Sequence, residues 1–174
     1  MPPSSIGRLR AAPLRAPLHV VLVEPEIPPN TGNIARLCAA TKSVLHLVGR
    51  LGFRIDDHAV KRAGLDYWHL VDVRTHVDFE HFLHAFGKGA TALHLFSAQA
   101  ERSYLEGTFA PGDALVFGKE SVGLPKELLD RFRERTLGIP TLGPVRSLNL
   151  ANAASIAIYE ALRKLGALDE THRE

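Results

Sequence analysis

Apolar residues in this chain fall in short unbroken runs, separated by amphipathic stretches and by loops rich in Gly, Pro, Asn and Ser. His19-Val20-Val21-Leu22-Val23 is the first run and Val44-Leu45-His46-Leu47-Val48 the second; Thr91–Phe96 and Ala114–Phe117 follow. Continuous runs of this length, bounded by turn residues, are the pattern of strands buried on both faces. His69–Val73 and Thr136–Ile139 are expected as further strands. Between the runs the spacing changes to helical. One helix is predicted through Ile34, Leu37 and Cys38, and a short one over Asp56–Ala63, closed by Gly64. Another spans Asp78–Phe86, with Phe79, Phe82, Leu83 and Phe86 on one face. A helix from Pro125 to about Arg131 places proline in the first turn, where its missing N–H costs nothing. A long helix ends near Leu165, and Ser147 is assigned as its N-cap. Pro25, Pro28 and Pro29 are expected to hold 24–29 as a stiff extended connection. Strands alternating with helices predict a three-layer α/β domain built on a mostly parallel sheet.

Composition narrows the class. With 174 residues, 45% of them hydrophobic and 23% charged, the chain has the make-up of a globular protein with one sizeable core. No apolar run approaches the roughly 18 residues of a membrane-spanning helix. The net charge of +2 does not by itself announce a nucleic-acid binder. Residues 1–17, which hold Arg8, Arg10 and Arg15 and no acid, are expected to be a disordered basic tail ahead of a single domain over 18–174. An arm touching phosphates and a short organellar presequence are the alternatives for that tail. Cys38 is the single cysteine; it cannot close an internal disulfide, fits a reducing cytoplasm, and sits among apolar neighbours as a core residue. Of the nine histidines, His81 and His84 have helical pair spacing, but no acid or cysteine cluster joins them, and no metal site is expected.

Chemistry in a parallel α/β sheet is carried by loops beyond the carboxyl ends of strands. Residues 24–33, 96–99, 118–124 and 140–149 occupy that position. The first strand is followed by EPEIPPNTGN, with no G-x-G-x-x-G, and Gly118–Gly123 continues with Leu124-Pro125 where a P-loop has Lys-Ser/Thr. Neither dinucleotide nor P-loop chemistry is supported. Asn30 and Arg36 span the start of a helix and are expected to face one cleft; Glu120 lies between two glycines. The alternatives are a solvated arginine and a surface carboxylate.

Taken in order, these loops resemble the SpoU-type RNA ribose 2′-O-methyltransferases of the SPOUT superfamily, and within them the short (TrmL-like) enzymes of the tRNA wobble position. The likeness covers about residues 18–166. It rests on Glu24-Pro25-Glu26-Ile27-Pro28-Pro29-Asn30-Thr31-Gly32-Asn33-Ile34-Ala35-Arg36-Leu37-Cys38, Arg62-Ala63-Gly64-Leu65-Asp66-Tyr67, Phe117-Gly118-Lys119-Glu120-Ser121-Val122-Gly123-Leu124-Pro125, and Ile139-Pro140 followed by Arg146-Ser147-Leu148-Asn149-Leu150-Ala151-Asn152-Ala153. Three positions depart from the family pattern: Gly143-Pro144-Val145 lacks an acid usual there, Leu95-Phe96-Ser97 is bulkier, and Lys119 replaces a proline.

The resemblance implies a C-terminal deep trefoil knot, a topology the general rules of chain connection almost forbid. It implies S-adenosylmethionine bent among three loops, with Phe96, Ser97, Gly118, Glu120, Gly123, Ile139, Ser147, Leu148 and Asn152 around it. It implies a homodimer with the active site at the subunit interface. Arg36 is then the catalytic arginine; Asn30, Glu120, Ser147 and Asn149 complete the site. Arg62, Tyr67 and Arg146 are expected RNA contacts, against the alternative that 61–68 is a basic helix beside an aromatic core residue. The partner implied is the anticodon stem-loop of tRNA, methylated at position 34 on cytidine or a modified uridine, in the cytoplasm, with no membrane. Another RNA position, a non-catalytic RNA-binding module and a metabolite-binding α/β protein are the competing readings.

Overall fold

The apolar runs form the sheet. The computed structural model describes residues 7–55 and 67–174, and the short helix expected over 56–63 lies outside them. After a small strand β1 (Leu9–Ala11) come β2 (His19–Val23), helix α1 (Pro28–Thr41), β3 (Val44–Val48), β4 (Val73–His76), α2 (Phe79–Phe86), β5 (Leu93–Phe96), β6 (Ala114–Phe117), α3 (Lys126–Arg131), β7 (Thr136–Leu137), α4 (Leu150–Lys164) and β8 (Thr171–Arg173). Six strands make one sheet in the order β4-β3-β2-β6-β5-β7, and every pairing in it is parallel. Alternate residues of β2 enter different clusters. Val20 and Leu22 pack with Ile34, Ala154 and Ile158 of α1 and α4, whereas Val21 and Val23 pack with Phe79 and Phe82 of α2 and with Leu124 and Phe132. The sheet is thus covered on both faces, as its continuous apolar strands require.

Helix α4 lies against α1 through small buried residues, Ala151, Ala154, Ala157 and Ala161. Having reached the sheet edge at β7, the chain returns across β5 to lie over β6 beside α1. Among the described residues no helix is long and apolar enough to cross a membrane.

Four local expectations are corrected. Helix α1 begins at Pro28 and takes both prolines into its first turn, because the first N–H groups of a helix have no intrahelical partner. The strand expected at 69–73 lies at Val73–His76 instead: residues 67–71 form turns closed by Leu70 N–H to Tyr67 O and Val71 N–H to Trp68 O. The cap of α4 is Asn149, whose Oδ1 accepts from the N–H of Ala151 and Asn152 at 2.9 and 3.3 Å; Ser147 lies exposed in the loop before it. Within the stretch 1–17, Leu9–Ala11 pairs antiparallel with Thr171–Arg173, and Leu14 packs on the core beside Leu165 and Leu168. Cys38 is buried in the core, and burial pushes its thiol up to about 12, which keeps it protonated and unreactive.

Candidate active site

The candidate loops leave the sheet at one level. Leu22 is in register with Phe117, Phe117 with Phe96, and Phe96 with Leu137. The segments starting at 24, 118, 97 and 138 therefore emerge side by side from the carboxyl ends of four adjacent strands. β2 is the strand where the sheet changes direction, with β3 on one side and β6 on the other. This is where ligands sit in open α/β sheets.

Side chains then tie the loops together. The Glu120 carboxylate accepts from the backbone N–H of Glu26 (2.8 Å) and Ile27 (3.1 Å) and from Asn30 Nδ2 (3.2 Å). A carboxylate from the β6 loop thus caps the start of α1, where the helix dipole favours negative charge. In return the Glu26 carboxylate accepts from the Ser121 N–H at 2.9 Å and the Ser121 hydroxyl at 3.0 Å. The Ser121 hydroxyl bond, then its N–H bond, holds the Glu26 carboxyl below the usual carboxylate range. Lys119 faces Glu24 at 3.5 Å.

Asn149 joins this pair to the third loop. Its Oδ1 is committed to the α4 cap, so its Nδ2 points outward and donates to Asn30 Oδ1 at 3.0 Å. Asn30 must then present Nδ2 to Glu120. One directed chain, Asn149 to Asn30 to Glu120, spans three loops, and Asn30 is buried within it. A buried amide with both ends used is costly to disturb. Arg146 reaches the same loop, its Nη2 to Ser121 O at 3.4 Å.

The structure thus brings together Asn30, Glu120, Asn149 and Arg146. Arg36 stands apart from them. Six residues along a helix is about 240° of rotation, so Asn30 points inward while Arg36 is exposed, its guanidinium 4.8 Å from the centre of the Tyr67 ring. The two residues therefore lie on different faces of α1. Ser147 is exposed, and Asn152 is exposed in the first turn of α4. Ile139 and Leu148 are half-buried. Phe96 stacks on Phe117 in the core, centroids 4.9 Å apart. The Ser97 hydroxyl accepts from Gln99 N–H at 3.1 Å. Arg62 lies outside the described residues. His81 turns to His76 and not to His84, with 3.1 Å between Nδ1 atoms, and among the described residues no group of three or more His, Cys, Asp or Glu could hold a metal. Glu26 and Ser121 were not among the residues singled out from sequence; the acid flanked by prolines in the first motif was the available signal.

Two glycines permit close backbone approach. A Cβ on Gly118 would lie 2.1 Å from the backbone of Gly123 and Leu124, and one on Gly138 would lie 3.2 Å from Ser97 O. Gly118→Ala is therefore expected to force the 118–124 loop open, costing about 1–3 kcal/mol and lowering Tm by roughly 2–12 °C. Gly143→Ala, in open space, should leave Tm unchanged. Equal melting of the two variants would show that the 118–124 turn has room to relax.

The model of the SpoU rRNA Methylase family matches residues 17–159. The chain is 48% identical over 150 residues to a tRNA (cytidine(34)-2′-O)-methyltransferase of Aeromonas hydrophila, covering 86% of this chain and 95% of that one. It superimposes with a TM-score of 0.80, at 52% identity over 86% of this chain and 97% of the other, on a structure concerned with the 2-OH methylation of C/U34 on tRNA. An AdoMet-bound rRNA methyltransferase from Sinorhizobium meliloti superimposes with a TM-score of 0.77 at 25% identity, over 90% of this chain and 62% of that chain.

Proposed function

Since this chain belongs to the SpoU rRNA Methylase family, we propose that it methylates the ribose 2′-hydroxyl of the tRNA wobble nucleotide, cytidine or modified uridine at position 34, using S-adenosylmethionine. The observation that carries the reading is the directed chain Asn149–Asn30–Glu120, which ties three separated loops together at the sheet's switch point. The likeness to the Aeromonas hydrophila enzyme over nearly its whole length supports the choice of nucleotide.

The residues present fit the methyl donor. Loops 96–100, 118–123 and 138–148 start in register, and Gly118 and Gly138 keep their backbones free of side chains at the closest approaches. Phe96, Ser97, Gly118, Gly123, Ile139, Ser147, Leu148 and Asn152 would hold it, largely through main chain. When bound, it supplies an electrophilic methyl group on a cationic sulfur. The protein's own work is alignment and charge. Fixing two reactants in line is worth up to roughly 7–11 kcal/mol in ideal cases. Glu120 and Asn149, through Asn30, hold the three loops together. Arg36 stabilises the negative charge that develops on the sugar oxygen as its proton passes to water or to the adjoining phosphate of the RNA.

Residues 138–165 are threaded in this reading as a deep trefoil knot. Support comes from the return of the chain from β7 to α1, and from Gly138, which donates to Arg102 O and accepts from Tyr104 N–H at 2.8 Å each, so that it pairs with Ser103 in a parallel bridge. The molecule acts as a homodimer whose site spans the interface. Exposed Leu142, Val145, Ile156 and Tyr159 on the last loop and α4 support a covered face there, and a partner accounts for an Arg36 that its own Asn30 does not meet. Arg146 borders the RNA path of the anticodon stem-loop, and the enzyme works in the cytoplasm on tRNA.

The test is transfer of labelled methyl to total tRNA by the full chain, with mass-spectrometric mapping of the product. A 2′-O-methyl nucleotide at position 34 is expected. Label appearing in ribosomal RNA and not in tRNA would overturn the assignment.

A further inference from the structure

Arg36 is an exposed residue on α1, and a long side chain in that position samples many rotamers. Its backbone is fixed, because Ile34, Ala35 and Cys38 on the same helix are buried. The guanidinium is met by the face of Tyr67, 4.8 Å from the ring centre. Tyr67 is itself held. Its neighbour Trp68 packs on the core, and the turn that follows is closed by Leu70 N–H to Tyr67 O at 2.9 Å and Val71 N–H to Trp68 O at 3.2 Å. Two anchored elements therefore bracket the guanidinium.

The chemistry of the contact matters more than its strength. A carboxylate partner would hold Arg36 by consuming its N–H fork and offsetting its charge. A ring face holds the guanidinium by its plane and leaves the five N–H donors at its edge available. That is the arrangement required of an arginine that must present donors to a sugar oxygen or a phosphate. We infer that Tyr67 is a positioning residue for methyl transfer: its ring supports Arg36 in the orientation that meets the reacting hydroxyl, and it is not primarily a stacking platform for an RNA base. This rests on the proposed role of Arg36.

The experiment compares Tyr67→Phe, Tyr67→Leu and Tyr67→Gln with the parent chain, alone and with Arg36→Ala. It measures kcat, the KM for each substrate, tRNA affinity by filter binding, and S-adenosylhomocysteine affinity by calorimetry. Loss of the ring is expected to lower kcat roughly 10- to 100-fold, the scale of a small misplacement of a reacting group. Both affinities should stay within about twofold of the parent, since no donor or base contact is removed. Tyr67→Phe should restore kcat, because the ring face is kept. In the Arg36→Ala background, removing the ring should cost nothing further, the signature of two residues acting through one interaction. Full turnover by Tyr67→Leu and Tyr67→Gln, with Arg36→Ala inactive, overturns the inference alone. Tenfold weaker tRNA binding at unchanged kcat overturns it in favour of base stacking. Full turnover by Arg36→Ala removes the underlying reading as well.

Discussion

Arg36→Ala is expected to lower methyl transfer by at least about 10²–10³-fold, the usual cost of deleting one donor to a developing oxyanion, while S-adenosylhomocysteine affinity stays unchanged. The separation of these effects follows from where the side chain sits. The loops proposed to hold the methyl donor start at the ends of β5, β6 and β7, whereas Arg36 lies on an exposed face of α1 against Tyr67. Removing it leaves Asn30, Glu120 and Asn149 in their hydrogen-bonded chain. Calorimetry and single-turnover methylation would read the two effects independently. Unchanged turnover would refute the role of Arg36, and lost cofactor affinity would place it in the binding cleft instead. The interface reading adds a second outcome. Mixing Arg36→Ala with a variant defective only in the three loops should restore part of the activity, because one of the two composite sites in each mixed dimer then carries neither change.

Much of this arrangement was readable from the chain alone, for reasons that differ by element. β2, β3 and β6 have the predicted boundaries because both their faces are buried, and two-sided burial forces an unbroken apolar run. β4 was misplaced because it is a half-exposed edge strand, in which Val73, Arg74 and Thr75 carry no such run. The positions of the ligand loops followed from a general property of parallel sheets, but their connections did not. Glu26 meets Ser121 across 95 residues of sequence, and no local pattern selects that partner from the other serines. The cap of α4 fell to Asn149 and not to Ser147, two residues of equal capping preference. What distinguishes them is that Asn149 has a second polar group for Asn30, a contact set by the return of α4 onto α1.

Three histidines on neighbouring strands are not legible as a group in the sequence for the same reason, and they are expected to steepen the loss of stability in acid. His19 Nδ1 lies 2.8 Å from His46 Nε2, His46 Nδ1 lies 2.8 Å from His76 Nε2, and His76 Nδ1 lies 3.1 Å from His81 Nδ1. A neutral imidazole has one donor and one acceptor nitrogen, so a row of neutral rings satisfies itself along its length. A second proton on His46 or His76, whose ring nitrogens are both used, would leave two donors facing each other beside Phe82. Burial first, then the charges of Arg74 and Lys88, pushes His19 down to about 4, with Asp72 opposing. Burial, then His19, His76 and Arg74, pushes His46 down to about 3, again against Asp72. Burial, then His81 and Arg74, also lowers His76. Because these values lie below the unfolded value of 6.5, the unfolded chain binds protons that the folded chain refuses. The histidine contribution is therefore fully present above about pH 6.5 and is lost as pH falls toward the folded values. In the steep part each ring removes up to about 1.4 kcal/mol per pH unit, so His19 and His46 together remove up to about 2.8 kcal/mol per pH unit. Against a typical reserve of about 5–15 kcal/mol, this leaves the fold little margin near pH 4. Carboxylates held low by partners, such as Glu26 and Asp72, give the same sign but act mainly below about pH 5, where the unfolded acids begin to bind protons. Urea unfolding between pH 7.5 and 5 therefore reports the histidines ahead of the carboxylates. A fall in stability that steepens below pH 6 is expected, and His46→Phe should flatten it. A stability constant from pH 7 to 5 would mean that the buried row accepts protons as readily as the unfolded chain does.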